Sequence, residues 1–328
     1  LFGASTPASK PLLEHYSPVL LSGLLYLGAA LAVSPWALRD LGNLRRSNRQ
    51  SLLRLAGAVI FGGIVGPVLL LTGLSMASAA SVALWLNLET VATALLARYF
   101  FREHLGVRTW IAVGLIVLAS IGLSGASIGS ALPGLLVAAA CLAWGLDNNL
   151  TAVIDQFTPA QVTFAKGIVA GAVNTGLGCM MSTAPLNVTL LGAALGIGAL
   201  AYGASILLYV AGAQQLGATR SQLIFSTAPA WGLGIAWIVL GEPIHGIQLA
   251  AAGLMAVAIW LWQTEEHAHV HIHLETTHTH WHRHDDGHHD HAHDEVSDPD
   301  SWHSHKHTHA GCSHEHPHRP DLHHRHDH

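Results

Sequence analysis

Long apolar blocks run along residues 1–263, separated by short polar connections. A helix that crosses a bilayer needs about 20 mainly apolar residues. On that measure the chain divides into ten spans, at 1–13 (incomplete), 18–38, 53–73, 76–99, 107–125, 132–153, 160–182, 188–213, 217–240 and 245–263. They lack the polar face that a surface helix of a soluble bundle carries. They also lack the ten-residue alternation of membrane β-barrel strands. From residue 264 onward the pattern changes to histidine alternating with other residues up to 328. The predicted fold class is an all-α membrane protein of ten transmembrane helices with a disordered, His-rich tail.

Basic residues orient the spans. Arg39, Arg45, Arg46, Arg49 and Arg54 follow or open spans on one side, and Arg98, Arg102 and Arg108 cluster after the fourth span. By the positive-inside rule both clusters face the cytoplasm. Both termini, and the tail, then lie in the cytoplasm of a multi-pass protein of the inner membrane. The loops after the seventh and ninth spans carry no Lys or Arg.

The chain also repeats itself. A shift of 139 places Gly57 on Gly196, Gly73 on Gly212, Ala79 on Ala218, Glu103 on Glu242 and Gly114 on Gly253. At a shift of 141, Tyr16-Ser17-Pro18 falls on Phe157-Thr158-Pro159. The domains predicted are a first five-span half at 1–125, a second at 132–263 and the tail at 264–328. Five spans is an odd number, so the second half enters the membrane from the opposite side. Such inverted repeats are common in secondary transporters.

Composition removes other classes. Charged residues are 11% of the chain, against about 25% in a soluble domain. The two parts differ in charge: residues 1–264 hold 11 Lys+Arg and 7 Asp+Glu, and residues 265–328 hold 4 and 13. No basic recognition patch suggests nucleic acid. There is no Walker A motif and no nucleophile elbow in a strand–helix setting, so no enzyme is expected. Cys141, Cys179 and Cys312 form no disulfide framework. The start at Leu1, without Met or a basic stretch, reads as a trimmed N-terminus with no cleavable signal.

Several local motifs carry a family resemblance over residues 1–263. They are Phe2-Gly3 with Lys10 in the first span, Trp144-Gly145 opening the second half, and Arg102-Glu103 and Gly241-Glu242-Pro243, each before a final span. With these the chain resembles the EamA family of the drug/metabolite transporter superfamily. Leu86-Asn87-Leu88-Glu89 and Leu146-Asp147-Asn148-Asn149-Leu150 resemble a subgroup whose members end in histidine-rich tails. The resemblance implies ten helices, two five-helix repeats and alternating access around a central cavity. It does not fix the substrate.

Ionisable and amide side chains inside spans are costly and by default mark a cavity or a partner. The candidates for substrate binding or coupling are Glu89, Asp147, Asn87, Asn148, Lys166, Lys10, Asn174, Tyr202 and Gln222. Glu89 is placed to bind a cation or carry a proton, or else to lock helices together. Of Asp147, Asn148 and Asn149, at most two face one cavity, because neighbours on a helix point about 100° apart. Lys10 and Lys166 are partners for Glu89 or Asp147, unless they snorkel to the interface. Glu103 and Glu242 read as caps at helix N-termini. Gly62 and Gly66, Gly167 and Gly171, and Gly192 and Gly196 read as close-packing pairs. Pro67 and Pro229 read as interruptions within spans.

The tail repeats His-x-His. It runs through His267, His269, His271, His273, His278, His280, His282, His284, His288, His289, His291 and His293. It continues with His303, His305, His307, His309, His314, His316, His318, His323, His324, His326 and His328. In an extended chain, alternate residues share a side, so each motif presents two imidazoles together. Imidazole suits Ni, Co, Zn and Cu, with Asp and Glu completing a shell. Binding requires the neutral ring and should fall away below about pH 6.5.

Three readings follow. The first is export of a small solute across the inner membrane, linked to divalent transition metal through the tail. The second is export of a metabolite or amino acid, regulated by metal on the tail. The third is a membrane-anchored metal store or sensor without transport. The expected partners are the lipid bilayer, a small-molecule or metal-ion substrate and a second copy in a homodimer. No cofactor is expected for the membrane domain.

Overall fold

The computed structural model describes residues 1–39, 48–101, 106–125, 131–154, 156–181 and 187–264. It also describes the strand residues 267–273, 276–282, 303–309 and 312–318. The described elements within residues 1–264 are all helical, and several helix ends can be traced to a local signal. Pro18 opens the Pro18–Ala37 helix, where the Ser17 hydroxyl accepts from the Leu20 amide. Asn48 caps Arg49–Ala58, Ser78 caps Ala79–Trp85 and Asn187 caps Val188–Ile197 in the same way. Pro11, without an amide hydrogen, ends the short Ser5–Ser9 helix. The segment expected as a first span at 1–13 is therefore a 3-10 turn, a five-residue helix and a second 3-10 turn.

The element boundaries recur at the interval seen in the sequence. Elements start at Arg49, Val59, Gly66, Ala79 and Val107, and again at Val188, Gly198, Ser205, Ala218 and Gly246, each 139 residues later. The long helices Pro18–Ala37 and Pro159–Met181 start 141 apart. The correspondence includes two π-helical segments, Val59–Val65 and Gly198–Ala204. A π-helix is rare and frees backbone groups from the usual ladder.

Six helical stretches are long and apolar enough to cross a membrane: Pro18–Ala37, Arg49–Met76, Ala79–Phe100, Leu132–Ala152, Val188–Leu216 and Gly246–Gln263. Val107–Leu123 and Ala228–Ile238 are shorter and also apolar. Large apolar side chains such as Leu31, Ile121, Leu135, Leu208, Trp231 and Ile238 lie exposed on the surface. In water such an apolar surface would be a liability, whereas lipid solvates it. Pro229 does not interrupt a helix. It sits at the start of Ala228–Ile238, after a break at Ser226–Thr227.

Pro18–Ala37 packs lengthwise on Pro159–Met181, and glycine makes that contact possible. A β-carbon on Gly178 would press on Leu20 backbone at 2.5 Å, on Gly171 against Leu27 at 2.8 Å and on Gly167 against Ala30 at 2.8 Å. One on Gly23 would overlap the Thr175 amide. Backbones this close are the usual means of helix association in lipid, where burial of apolar surface gives little net drive. Gly192 and Gly196 correct the sequence reading: a β-carbon at either meets open space. Spacing alone identified the pair, and among the described residues nothing packs against it.

The tail was expected to lack secondary structure. Its described backbone instead pairs His267–His273 with Cys312–His318 and Thr276–His282 with His303–His309, both antiparallel. The His-x-His alternation has the two-residue period of a strand. Histidine therefore stands opposite histidine along the register, as His269 with His316 and His280 with His305.

Candidate functional site

Three helices from the second half and one from the first bring the central polar residues together. Asp147 on Leu132–Ala152 and Lys166 on Pro159–Met181 form a buried ion pair, with Lys166 Nζ 2.6 Å from one carboxylate oxygen and 2.7 Å from the other. Thr151 Oγ donates to the same carboxylate at 3.0 Å. Lys166 is 3% exposed, so it does not snorkel to the interface. Glu89 lies 6% exposed at the start of the Leu88–Phe101 helix. It accepts from Asn148 Nδ2 at 3.0 Å, and the same amide lies 3.1 Å from Thr93 Oγ1 and 3.2 Å from Gln222 Oε1.

These groups line a small internal cavity of about 40 Å³. Its lining includes Glu89, Asp147, Asn148, Lys166 and Tyr202, with Phe2, Tyr26, Trp144, Tyr209 and Phe225. A smaller space of about 10 Å³ adjoins Glu89 and Gln222 beside Thr90 and Pro229. One water needs roughly 10–15 Å³ of such volume. The space thus has room for no more than a few waters, and a larger solute requires the helices to part.

The wall is a continuous set of rings. Phe2 meets Trp144, Tyr202 and Phe225 at centroid distances of 5.9, 5.8 and 5.0 Å. Tyr26 meets Tyr202 at 5.4 Å and Tyr209 meets Phe225 at 5.3 Å. The first π-helical segment is tied into this wall through its backbone. The Gly62 carbonyl accepts from Tyr26 Oη at 2.6 Å and from Trp144 Nε1 at 3.0 Å. A carbonyl displaced from the helical ladder needs such a partner when buried.

The other candidates sit elsewhere. Asn87 donates to the Leu84 carbonyl at 3.0 Å and lies 3.3 Å from Met255 Sδ. Asn174 Nδ2 donates to the Gly63 and Ile64 carbonyls, both at 3.3 Å, and so braces the π-helical segment. Asn149 turns away to the Thr93 and Gly145 carbonyls. Lys10 pairs with neither Glu89 nor Asp147. Its ammonium donates to the Leu74 and Ala77 carbonyls at 2.7 and 2.8 Å. Glu242 does not cap the helix it precedes. Its two oxygens accept from the Ala79 and Ala80 amides at 2.7 and 2.9 Å, while Gln248 and His245 form the cap of Gly246–Gln263. Glu103 lies outside the described residues, as do His284, His288, His289, His291, His293, His323, His324, His326 and His328. Among the described residues no three of His, Cys, Asp and Glu come together as a metal site.

Sequence reasoning missed Tyr26, Tyr209 and Phe225 as lining residues. Single aromatic residues in an apolar span carry no sign of whether they face lipid, core or cavity. One change tests the close packing at this site. A β-carbon at Gly62 would overlap the Asp147 carboxylate. Gly62→Ala should therefore destabilise the protein by about 1–3 kcal/mol, read as a lowered melting temperature in detergent. A melting temperature equal to that of the parent would mean that Asp147 is not seated there.

Long apolar helices and a lipid-suited surface around a buried cluster of polar side chains define a multi-pass membrane protein. The profile of the EamA-like transporter family matches residues 1–125 and again 132–263. The chain belongs to that family. It is 26% identical over 270 residues to an uncharacterized transporter of Methanothermobacter thermautotrophicus (strain Delta H), covering 75% of this chain and 78% of the relative. A solved crystal structure shares the fold with a TM-score of 0.59 at 16% identity, covering 78% of this chain and 93% of its own.

Proposed function

We propose that the protein is a secondary transporter that moves a small, amine-bearing organic solute by alternating access, with divalent metal on the tail as regulator. The two halves act as an inverted repeat of five spans each, at 1–125 and 132–263, and the Arg-rich loops and tail face the cytoplasm. The direction is export across the inner membrane. One observation carries the substrate class. Asp147 is already matched by Lys166, whereas Glu89 has no cationic side chain within ion-pair distance among the described residues. Glu89 is thus an unmatched carboxylate in a wall of aromatic rings, and such rings attract cations.

Ni, Co and Zn favour imidazole or thiolate ligands, and the described cavity lining holds neither. Those ligands are concentrated in the tail, so metal acts there. In its register His271 stands opposite His314 and His278 opposite His307, which brings pairs of His-x-His motifs side by side. The test is flux into proteoliposomes with the full chain and with a chain ending at Gln263. Phenethylammonium, Ni(II), Co(II) and Zn(II) serve as parallel probes. Phenethylammonium should move through both proteins, with Ni(II) changing its rate only when the tail is present. Flux of a metal that depends on Glu89 would make metal the cargo and overturn this reading. Tight metal binding without flux of any probe would leave a store or sensor.

A further inference from the structure

Between the Gly66–Met76 and Ala79–Trp85 helices the chain breaks at Ala77 and Ser78, both in extended conformation. The break leaves carbonyls at one helix end and amides at the other. Two charged side chains from distant parts of the chain grip it. Lys10, at the end of the short N-terminal helix, donates to the Leu74 and Ala77 carbonyls. Glu242, from the loop before the last helix, accepts from the Ala79 and Ala80 amides. Each charge matches the dipole of the end it meets: the ammonium takes the negative C-terminal end, and the carboxylate takes the positive N-terminal end. Behind them, Gln248 Nε2 donates to Ser81 Oγ at 3.2 Å, adding the last helix to the closure.

We infer that Glu242 and Lys10 form a gating latch at one face of the transporter: Lys10 fixes the break from within the first half, and Glu242 holds the second half against it and must let go for that face to open. Three features carry the inference. The two Glu242 bonds join one half to the other, so relative movement of the halves breaks both together, while the two Lys10 bonds, within the first half, fix the break that Glu242 grips. Both side chains are only half-buried, and neither lines the cavity. Charge-assisted bonds to helix ends are strong enough to hold a state and yet release without unfolding either helix. At the other end of the Arg49–Met76 stretch, among the described residues, Arg54 donates to the Val153 carbonyl of the second half. The latch rests on the transporter reading above, and its position on the outer face rests on the proposed orientation.

The test reads opening directly and needs no substrate. The full chain, with Cys141, Cys179 and Cys312 replaced, carries Ser9→Cys as reporter, since Ser9 is fully buried one residue before the latch lysine. A membrane-impermeant cationic methanethiosulfonate reagent is applied to intact spheroplasts and, separately, to inverted vesicles. Glu242→Gln, which removes the charge, and Lys10→Met should each raise the labelling rate about ten-fold, the shift expected for losing one charge-assisted bond. The rise should occur from one side only. A rise confined to spheroplasts supports the latch and the orientation together. A rise confined to inverted vesicles supports the latch and refutes the orientation. A rise from both sides reports loss of fold, and no rise in either variant reports a mere cap; each of these overturns the latch. Absence of phenethylammonium flux with one-sided labelling would refute the substrate class and leave the latch standing.

Discussion

Lys166→Met should cost about 3–5 kcal/mol of stability, the usual penalty for removing one partner of a buried ion pair. Lys166 and Asp147 are 3% and 6% exposed, so the remaining carboxylate is cut off from bulk water. Its other described hydrogen bond comes from Thr151, and one hydroxyl cannot replace an ammonium held 2.6 Å away. Asp147→Asn should be damaging for the converse reason, leaving an ammonium unpaired. The double variant Lys166→Met/Asp147→Asn removes both charges and should be more stable than either single change. Unfolding in mixed micelles, followed by tryptophan fluorescence, measures all three. If the two single effects sum to the double within about 0.5 kcal/mol, the pair does not act as a unit and the assigned geometry fails.

That pair shows where the sequence stops being legible. Charge in an apolar span identified Asp147 and Lys166 as worth attention, because an ion in lipid needs a reason to be there. Which acid the lysine meets depends on the angle and depth at which Leu132–Ala152 and Pro159–Met181 pack, and neither is written in local spacing. Repetition was easier to see. Five helical elements start again 139 residues later, the shift at which Gly73, Ala79 and Glu103 recur as Gly212, Ala218 and Glu242. The π-helical segments were not visible, since Val59–Val65 differs from its helical neighbours in carbonyl partners and not in composition.

Glu242 was read correctly as a carboxylate that caps free amides and assigned to the wrong helix. Capping rules work along the chain, whereas this contact crosses from one half to the other. Gly192 and Gly196 fail for a similar reason. Their spacing is that of a packing pair, but no described residue packs against it.

Glu89→Gln should separate function from stability in the opposite sense to Lys166→Met. Glutamine keeps the shape and one carbonyl oxygen, so the bond from Asn148 Nδ2 survives. It also removes a carboxylate that has no cation within ion-pair distance among the described residues. The melting temperature should therefore stay level or rise, because an unmatched buried charge is a net cost to the fold. Transport should suffer heavily. Truncating one side of a buried, hydrogen-bonded charge pair typically loses about 2–5 kcal/mol of binding, which at about 1.4 kcal/mol per decade is at least a thirty-fold loss of affinity. Phenethylammonium flux should fall accordingly, and raising the solute concentration should recover part of it. Asp147→Asn should show the reverse order, with stability lost first and flux lost as a consequence. Equal flux from Glu89→Gln and the parent chain would remove Glu89 from the substrate path, and with it the argument for a cationic solute. A flux loss matched by a proportionate fall in melting temperature would return Glu89 to the structural role that its contact with Asn148 also permits.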